Sequence, residues 1–313
     1  VNYGSTGSRG QCPNGQTTGT QTAASSSQCQ TSCQGATYYD SATGACKNCP
    51  TGYTDNVTNG KNNINQCQGY CAGGKILATY TPLEYLQSRN GNQFIDTGYG
   101  VTSDHVNGTV VIENLEAINN PSQYDSGNFF GNLYGNGGFS SGWKKNVFGV
   151  WLQKTNGGGA KAQYSAPLNQ NQVYTITYDI TLTLGNNGKK TGVPKIIVNN
   201  NSPKTANVPD VSINYEGNTI KLFTNGSAYV KDNNTIDLPN GDKIFGGRMY
   251  SMQLYDNGVL QLDLIPARRE SDGELGMYNR VDGGFYVNAG FDTFIAGADI
   301  GDSFGSCGPV GNA

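Results

Sequence analysis

Alternating apolar and polar residues run through much of the second half of the chain. In residues 173–184 every second residue from Tyr174 to Leu184 is apolar or aromatic, and the residues between them are mainly threonine. Successive side chains of a β-strand point to opposite faces, so this alternation predicts a strand with one buried face and one solvated face. Similar runs predict further strands at residues 108–112, 147–152, 195–198, 219–223, 248–255 and 259–265.

Turn-forming residues separate these runs. Asn-Gly pairs begin at Asn225, Asn240 and Asn257, and an Asn-Asn-Gly triplet occupies residues 186–188. Asn and Gly tolerate the positive φ angles that tight hairpin turns require, so Asn257-Gly258 between two alternating runs predicts a β-hairpin. Many short strands with no intervening helical pattern predict an all-β protein, an antiparallel β-sandwich or jelly roll.

Composition agrees with this class and narrows the partners. Glycine supplies 45 of the 313 residues, about twice its usual share of about 7%. Charged residues make up 14% of the chain, against a usual value of about 25%. The formal net charge is −3 and like charges form no block, so nucleic acid and anionic membrane surfaces are not expected as partners. No apolar run reaches the length of a membrane span, and we expect no membrane insertion.

Cysteines are concentrated near the N-terminus. The eight are Cys12, Cys29, Cys33, Cys46, Cys49, Cys67, Cys71 and Cys307. Such density in a weakly apolar segment predicts disulfide bonds and a secreted, extracellular protein. The Cys46-x-x-Cys49 spacing also suits zinc, but the chain has a single histidine, and disulfides are the favoured interpretation.

The cysteine-rich segment contains two copies of one unit. Cys12-Pro-Asn-Gly aligns with Cys49-Pro-Thr-Gly at an offset of about 37 residues. Arg9 occupies the place equivalent to Cys46, so one cysteine of the segment lacks an internal mate. A bridge from Cys12 to Cys307, within one chain or between chains, is the simplest closure, but eight cysteines allow about 105 pairings and the sequence does not choose among them. We predict a disulfide-stapled arm or stalk at residues 1–75 and a sandwich with a C-terminal tail at residues 76–313.

Two family resemblances come from these motifs. The repeats, with GATYYDSATGAC leading into Cys46-x-x-Cys49-Pro, resemble the short EGF-like and TNF-receptor-like cysteine-rich modules of extracellular stalks. LEYLQSRNGNQFIDTGY (83–99) and GGRMYSMQLYDNGVLQLDLIPARRESDGELGMYNRVDGGFYVNAGFDTFIAG (246–297) are similar to the opening and closing segments of concanavalin A-like, laminin-G-like sandwiches of bacterial surface proteins. That architecture hosts lectins, adhesins, glycosidases and passive spacers, so it implies a fold rather than a function.

We expect no enzyme and assign no catalytic residue. A glycosidase needs two carboxylates about 5–10 Å apart, whereas Glu113 and Glu116 fall on opposite faces of their predicted strand. His105, the only histidine, stands in a polar segment before a strand and is expected at the surface. Arg268 and Arg269 are expected to pair with the acidic residues of 270–274 rather than to form an anion site.

Sugar stacking and calcium binding are the remaining candidate chemistries. Trp143, preceded by a Gly/Ser-rich stretch, and Tyr134 are candidate glycan contacts, while Trp151 lies in an apolar run and is expected in the core. Hard oxygen ligands for a calcium ion are offered by Asp232, Asn234, Asp237 and Asp242, at a spacing unlike that of an EF-hand. We expect no other cofactor. N-glycosylation sequons begin at Asn56, Asn107, Asn200, Asn225 and Asn233.

Two functional interpretations remain. In the first, the protein is a non-enzymatic structural subunit that assembles with copies of itself into an extracellular filament or surface layer, because the arm is too polar to fold alone and one cysteine lies near each end of the chain. In the alternative, it is a carbohydrate-binding module or adhesin displayed on a cysteine-rich stalk.

Overall fold

A computed structural model of the chain describes most of its C-terminal three quarters. The described residues are 78–88, 93–115, 126–133, 137–144, 147–154, 159–164, 169–186, 188–213, 218–224, 229–231, 235–237 and 243–306, together with six short strands in the first 77 residues. Those six are β1 (Asn2–Tyr3), β2 (Gly10–Gln11), β3 (Gln16–Thr17), β4 (Gln30–Thr31), β5 (Thr37–Asp40) and β6 (Ala45–Asn48). They form three antiparallel pairs, β1 with β2, β3 with β4 and β5 with β6.

Every regular element in the described part of the chain is a β-strand. The remaining strands are β7 (Ala78–Pro82), β8 (Leu86–Gln87), β9 (Ile95–Asp96), β10 (His105–Asn114), β11 (Ser126–Gly131), β12 (Phe139–Lys144), β13 (Val147–Gln153), β14 (Gly159–Tyr164), β15 (Gln172–Leu184), β16 (Lys190–Val198), β17 (Lys204–Thr205), β18 (Val208–Pro209), β19 (Lys221–Leu222), β20 (Tyr229–Lys231), β21 (Thr235–Asp237), β22 (Lys243–Ile244), β23 (Gly247–Asp256), β24 (Val259–Arg269), β25 (Leu275–Asn279), β26 (Phe285–Val287), β27 (Ile295–Ala296) and β28 (Phe304–Ser306). Among these described residues no helix is long and apolar enough to cross a membrane.

The chain divides into two compact units. The first comprises Val1–Tyr80 and Ser303–Val310, and the second comprises Thr81–Asp302 and Gly311–Ala313. In the first unit, β28 pairs antiparallel with the start of β7, and the rings of Tyr80 and Phe304 lie 5.9 Å apart. The cysteine-rich repeats and the boundary after residue 75 lie largely outside the described residues and stay predictions.

The described residues of the second unit form two large sheets and a separate two-stranded sheet of β20 and β21. In the larger, the strand order is β17-β16-β15-β10-β23-β24-β25-β26, with β18 beside β16, β8 beside β23 and β27 beside β8. In the smaller, the order is β14-β13-β12-β11-β19-β9, and β22 runs parallel to β11. The other pairings are antiparallel, so the predicted all-β antiparallel sandwich is confirmed.

The alternation along β15 has the expected physical result. Tyr174, Ile176, Tyr178, Ile180 and Leu182 are buried, and the threonines between them are exposed or half-buried. The sixth position is an exception, because the side chain of Leu184 is 66% exposed. Leu184 is the last residue of the strand, directly before the turn in which the Gly185 amide binds the Lys189 carbonyl.

The core lies between the facing sides of the two sheets and is rich in aromatic rings. Tyr178 packs on Phe130 at 4.7 Å between ring centroids, and Tyr174 packs on Phe148 at 4.8 Å. The Tyr178 hydroxyl donates to the Gln253 carbonyl oxygen at 3.0 Å. A Cβ atom at the intervening Gly108 would lie 2.5 Å from that hydroxyl. Glycine at 108 therefore lets the buried phenol reach a partner two strands away.

The ends of the two sheets are joined to each other within the described residues. At one end the Phe94 amide binds the side chain of Asn288, and Ile95 of β9 forms a bridge with Asn288, which directly follows β26. On the opposite side Lys154, which directly follows β13, forms a bridge with Val211. The outermost strands β17 and β18 of the larger sheet are two residues long, a common protection of sheet edges.

Three sequence-based expectations about side chains are wrong. Trp143 is buried at 4% exposure, because it lies on β12 with its ring toward the core, whereas Trp151 is half-buried rather than fully enclosed. Arg268 pairs with Asp299 at 2.8 Å, on a segment about 30 residues further along the chain. Arg269 pairs with Asp272 at 2.7 Å, as expected.

The Asn257-Gly258 hairpin between β23 and β24 is confirmed. Both residues have positive φ, 51° and 77°, as a type I′ turn requires. We expect Gly258→Ala to lower the free energy of unfolding by about 1 kcal/mol through backbone strain alone, since an added Cβ would have nothing within 4 Å. Gly100→Ala is the control, because there the backbone is not left-handed and the nearest atom is 3.6 Å away. Chemical denaturation of both variants measures the difference, and equal effects would contradict the turn assignment.

Candidate functional site

The face of the larger sheet that points away from the smaller sheet carries rows of half-buried polar side chains. Strand register places Glu113 of β10 beside Arg248 of β23, and Arg248 beside Gln87 of β8. A β-bulge in β23 follows, where Tyr250 and Ser251 both lie opposite Val111. The bulge turns two consecutive side chains to this outward face.

Five of these side chains form a fixed group, the Arg248 cluster, which comprises Tyr85, Gln87, Glu113, Arg248 and Tyr250. Arg248 donates through Nη1 to Glu113 Oε2 at 2.9 Å and through Nε to Gln87 Oε1 at 3.0 Å. The Tyr250 hydroxyl donates to the same Glu113 oxygen at 2.7 Å. The Glu113 side chain is 9% exposed and that of Arg248 is 28% exposed, so the guanidinium is held on a buried carboxylate with part of its surface open.

Tyr85 completes the cluster with its aromatic ring. The Arg248 guanidinium carbon lies 4.2 Å from the centroid of the Tyr85 ring, a cation–π geometry. The Tyr250 ring meets the Tyr85 ring edge-on at 5.7 Å and 66°. Gly297 lies directly behind, where an added Cβ would come within 2.9 Å of the Tyr85 ring. Glycine at 297 therefore gives the ring room to stack.

The electrostatics of the cluster keep two of its side chains, Tyr250 and Arg248, protonated. Burial, together with the hydrogen bond to Glu113, raises the pKa of Tyr250 to about 12. Burial alone would lower the pKa of Arg248, but the hydrogen bond and negative charge of Glu113 outweigh it and raise that pKa. Both groups keep their protons near neutral pH, so neither is available to accept a proton as a general base. The cluster can therefore stack on a ligand and donate hydrogen bonds.

A second group lies further along the same face. The Arg280 cluster comprises Gln253, Asp263 and Arg280. Arg280 binds both carboxylate oxygens of Asp263 at 2.9 Å, and Gln253 Nε2 donates to Asp263 Oδ1 at 3.1 Å. The Arg280 side chain is 53% exposed and that of Asp263 is 14% exposed. As in the Arg248 cluster, the guanidinium is fixed by a carboxylate that is less exposed than the guanidinium itself.

Few of the sequence-predicted glycan and calcium residues fall in the part of the chain that the structure describes. Trp143 is enclosed in the core, so its ring offers no open stacking surface, and Tyr134 lies outside the described residues. Of the calcium candidates only Asp237 falls in a described strand, β21, and no group of three His, Cys, Asp or Glu side chains in the described ranges is placed to hold a metal ion. Calcium binding stays a prediction.

The other predicted residues are partly described. Cys46 lies in β6, opposite Tyr39, and the other cysteines lie outside the described residues. Asn200 is exposed in a turn with a φ of 60°, and Asn107 is half-buried on the outward face of β10. Asn56, Asn225 and Asn233 fall outside the described ranges, and glycosylation stays a prediction. His105 begins β10, with Nε2 3.1 Å from Asp179.

Sequence reasoning missed the Arg248 cluster because its members come from three distant segments. Tyr85 and Arg248 each lie within one of the two stretches that carry the family resemblance. The alternating run at 248–255 predicted a strand that contains Arg248, but no local pattern indicated that Tyr85 lies beside it. The available signal was the polar residue at each outward position of residues 248–255.

Comparisons with known proteins give no family. No protein-family model matches the chain, and no curated protein matches it significantly in sequence. Solved structures match at low similarity, among them a native heptameric SAP-like pentraxin from Limulus polyphemus, at 12% identity and a TM-score of 0.37 over 57% of this chain and 76% of that one.

Two further structures are similar at the same level. The alginate lyase vAL-1 from Chlorella virus matches at 10% identity and a TM-score of 0.28, over 58% of this chain and 94% of that one. The receptor-binding domain of botulinum neurotoxin type G matches at 10% identity and a TM-score of 0.28, over 72% and 77%. Because all three TM-scores are low, the fold and the site rest on the strand pairing and contacts of this protein itself.

Proposed function

We propose that this protein is a non-enzymatic, extracellular glycan-binding module that binds its ligand on the outward face of the larger sheet. The observation that carries this proposal is the Arg248 cluster, a stacked guanidinium and aromatic surface that is fixed before any ligand arrives. Groups that are already held in one geometry lose little conformational freedom on binding, which favours affinity.

The chemistry of the cluster suits a sugar. A pyranose ring has an apolar face that covers an aromatic side chain and a rim of hydroxyls that exchange hydrogen bonds. Tyr85 and Tyr250 supply ring surface, and the open part of Arg248 supplies N–H donors, with Gln87 and Glu113 as the groups that hold it in place. Mixed aromatic and polar groups of this kind are typical of ligand sites.

The arrangement of carboxylates supports a binding role over glycoside hydrolysis. Asp263 of β24 pairs with Gln253 of β23, and Gln253 pairs with Thr109 of β10. Along the strand direction Asp263 is therefore level with Thr109, which is four residues from Glu113 on β10. At about 3.3 Å per residue this gives about 13 Å along the strands alone, whereas catalytic pairs stand about 5–9.5 Å apart. Both carboxylates are also engaged by an arginine.

Self-assembly into a filament stays a prediction. The arm that would contact the next subunit lies mostly outside the described residues. One route by which it could do so is addition of a strand to an open sheet edge. The cysteine density still supports a secreted protein with disulfides, and both properties belong to this proposal.

Binding to a panel of purified soluble polysaccharides tests the proposal. The panel contains neutral glucan, mannan and galactan and acidic alginate and polygalacturonate, measured by affinity electrophoresis and calorimetry. We expect at least one to bind, and Tyr85→Ala to weaken that binding by at least about tenfold because the stacking ring is lost. Tyr85→Phe, which keeps the ring, and Thr181→Ala, on an exposed position elsewhere on this face, should bind within about twofold of the wild type.

Two results would overturn this proposal. The first is a folded protein, by circular dichroism, that binds no polysaccharide of the panel. The second is a Tyr85→Ala variant that binds as well as the wild type.

A further inference from the structure

We infer that the outward face binds a linear, uncharged polysaccharide along several consecutive sugar units, from the Arg248 cluster to the Arg280 cluster. This inference rests on the proposed function and adds the length and charge of the ligand. The outward face has two fixed arginine–carboxylate groups, Arg248 with Glu113 and Arg280 with Asp263.

The two clusters are too far apart for one sugar ring. Glu113 lies in the row that contains Arg248, and Thr109 lies in the row that contains Gln253 and Asp263. Four residues separate these rows on β10, about 13 Å along the strand direction. A monosaccharide reaches one cluster, whereas a chain of several units reaches both.

The surface between the clusters is continuous and uncharged. The intervening row contains Thr175, Val111, Ser251, Ile265 and Tyr278 on five neighbouring strands. Thr175 is exposed and the other four are half-buried, so each presents part of its surface. A shallow strip of hydroxyl, aliphatic and aromatic groups suits a chain that lies flat across the strands.

The charges of the two clusters cancel pair by pair. Arg248 is 2.9 Å from Glu113, and Arg280 is held by both oxygens of Asp263. An acidic polysaccharide would require unpaired cations, because paired arginines give a weak net field at a partly exposed surface. The hydrogen-bond donors that remain fit the hydroxyls of a neutral sugar.

A chain-length series tests the length of the site. The probes are the mono-, di-, tetra- and hexasaccharides of the panel member that binds, titrated by calorimetry in the full chain. We expect the hexasaccharide to bind at least about tenfold more tightly than the disaccharide. Arg280→Gln should remove most of that gain and leave disaccharide affinity within about twofold, whereas Tyr85→Ala should weaken both ligands. Gln253→Ala is a second variant of the same cluster, and thermal unfolding checks that each variant is folded.

The outcomes separate this inference from the proposed function. Equal affinity for disaccharide and hexasaccharide, or no effect of Arg280→Gln and Gln253→Ala on the hexasaccharide, would overturn the extended site while a loss in Tyr85→Ala upholds glycan binding. Tighter binding of alginate or polygalacturonate than of every neutral polymer, weakened by salt, would overturn the uncharged ligand. Absence of binding to the whole panel overturns both.

Discussion

Replacing Asp256 by alanine is expected to lower the free energy of unfolding by about 3–5 kcal/mol, a large effect for a single side chain. Asp256 is 4% exposed at the end of β23. Its carboxylate accepts hydrogen bonds from the Tyr99 hydroxyl at 2.7 Å and from the amides of Thr102 and Ser103 at 2.8 and 3.2 Å. The hydroxyls of Thr102 and Ser103 also donate to it. Alanine would leave these donors without their acceptor.

The reason for the size of the effect is the place of this carboxylate in the fold. Residues 99–103 connect β9 of the smaller sheet with β10 of the larger sheet, and one side chain holds the segment through five hydrogen bonds. Denaturant unfolding of Asp256→Ala measures the loss. Asp302→Asn is the matched control, because Asp302 is exposed, and it should change stability by less than about 0.5 kcal/mol.

The same contact predicts a dependence of stability on pH. Burial by itself would raise the pKa of Asp256, but the hydrogen bonds from Ser103, Thr102 and Tyr99 outweigh it and lower that pKa below its ordinary value. A carboxylate with a lowered pKa stabilises the folded state above the unfolded value of about 3.9, and this contribution is lost as the pH falls through the lower folded value. Acidification from about pH 5 to about pH 2 should therefore destabilise the wild type more than Asp256→Asn. Parallel pH profiles would contradict this role.

Replacing Ile180 by alanine is expected to cost about 2–5 kcal/mol, in the range of large-to-small substitutions in a packed core. Ile180 is fully buried on β15, paired with Val106 on one side and Pro194 on the other. The neighbouring Thr181 points to solvent, so Thr181→Ala should change stability by well under about 1 kcal/mol.

Equilibrium unfolding in denaturant measures both variants, and their unfolding slopes should agree because the exposed surface is nearly the same. Ile180→Val, which removes one methylene group, should fall between them at about 0.5–1.5 kcal/mol. A Thr181→Ala loss as large as that of Ile180→Ala would mean that both faces of β15 are covered, as they would be inside an assembly.

The sequence by itself determined the class of fold and the facing of individual strands. Tyr174 to Leu182 alternate with polar residues, and a strand places alternate residues on opposite faces, so the buried set follows from period two. Asn257-Gly258 determined a hairpin, because few other residue pairs adopt two positive φ angles at low cost. These are local properties of backbone geometry, so they can be predicted without knowing where the strand lies in the sandwich.

Only the tertiary structure decided which faces are covered and which residues meet. Trp143 follows a Gly/Ser-rich stretch typical of a loop, yet strand pairing carries its ring into the core. Tyr85, Glu113 and Arg248 are far apart in the chain and become neighbours because β8 and β10 flank β23. A bulge after Tyr250 then turns Ser251 to the outward face as well, where strict alternation from Arg248 would have placed it inside. Strand order and register depend on the packing of the whole sandwich, so they cannot be inferred from a local pattern of residues.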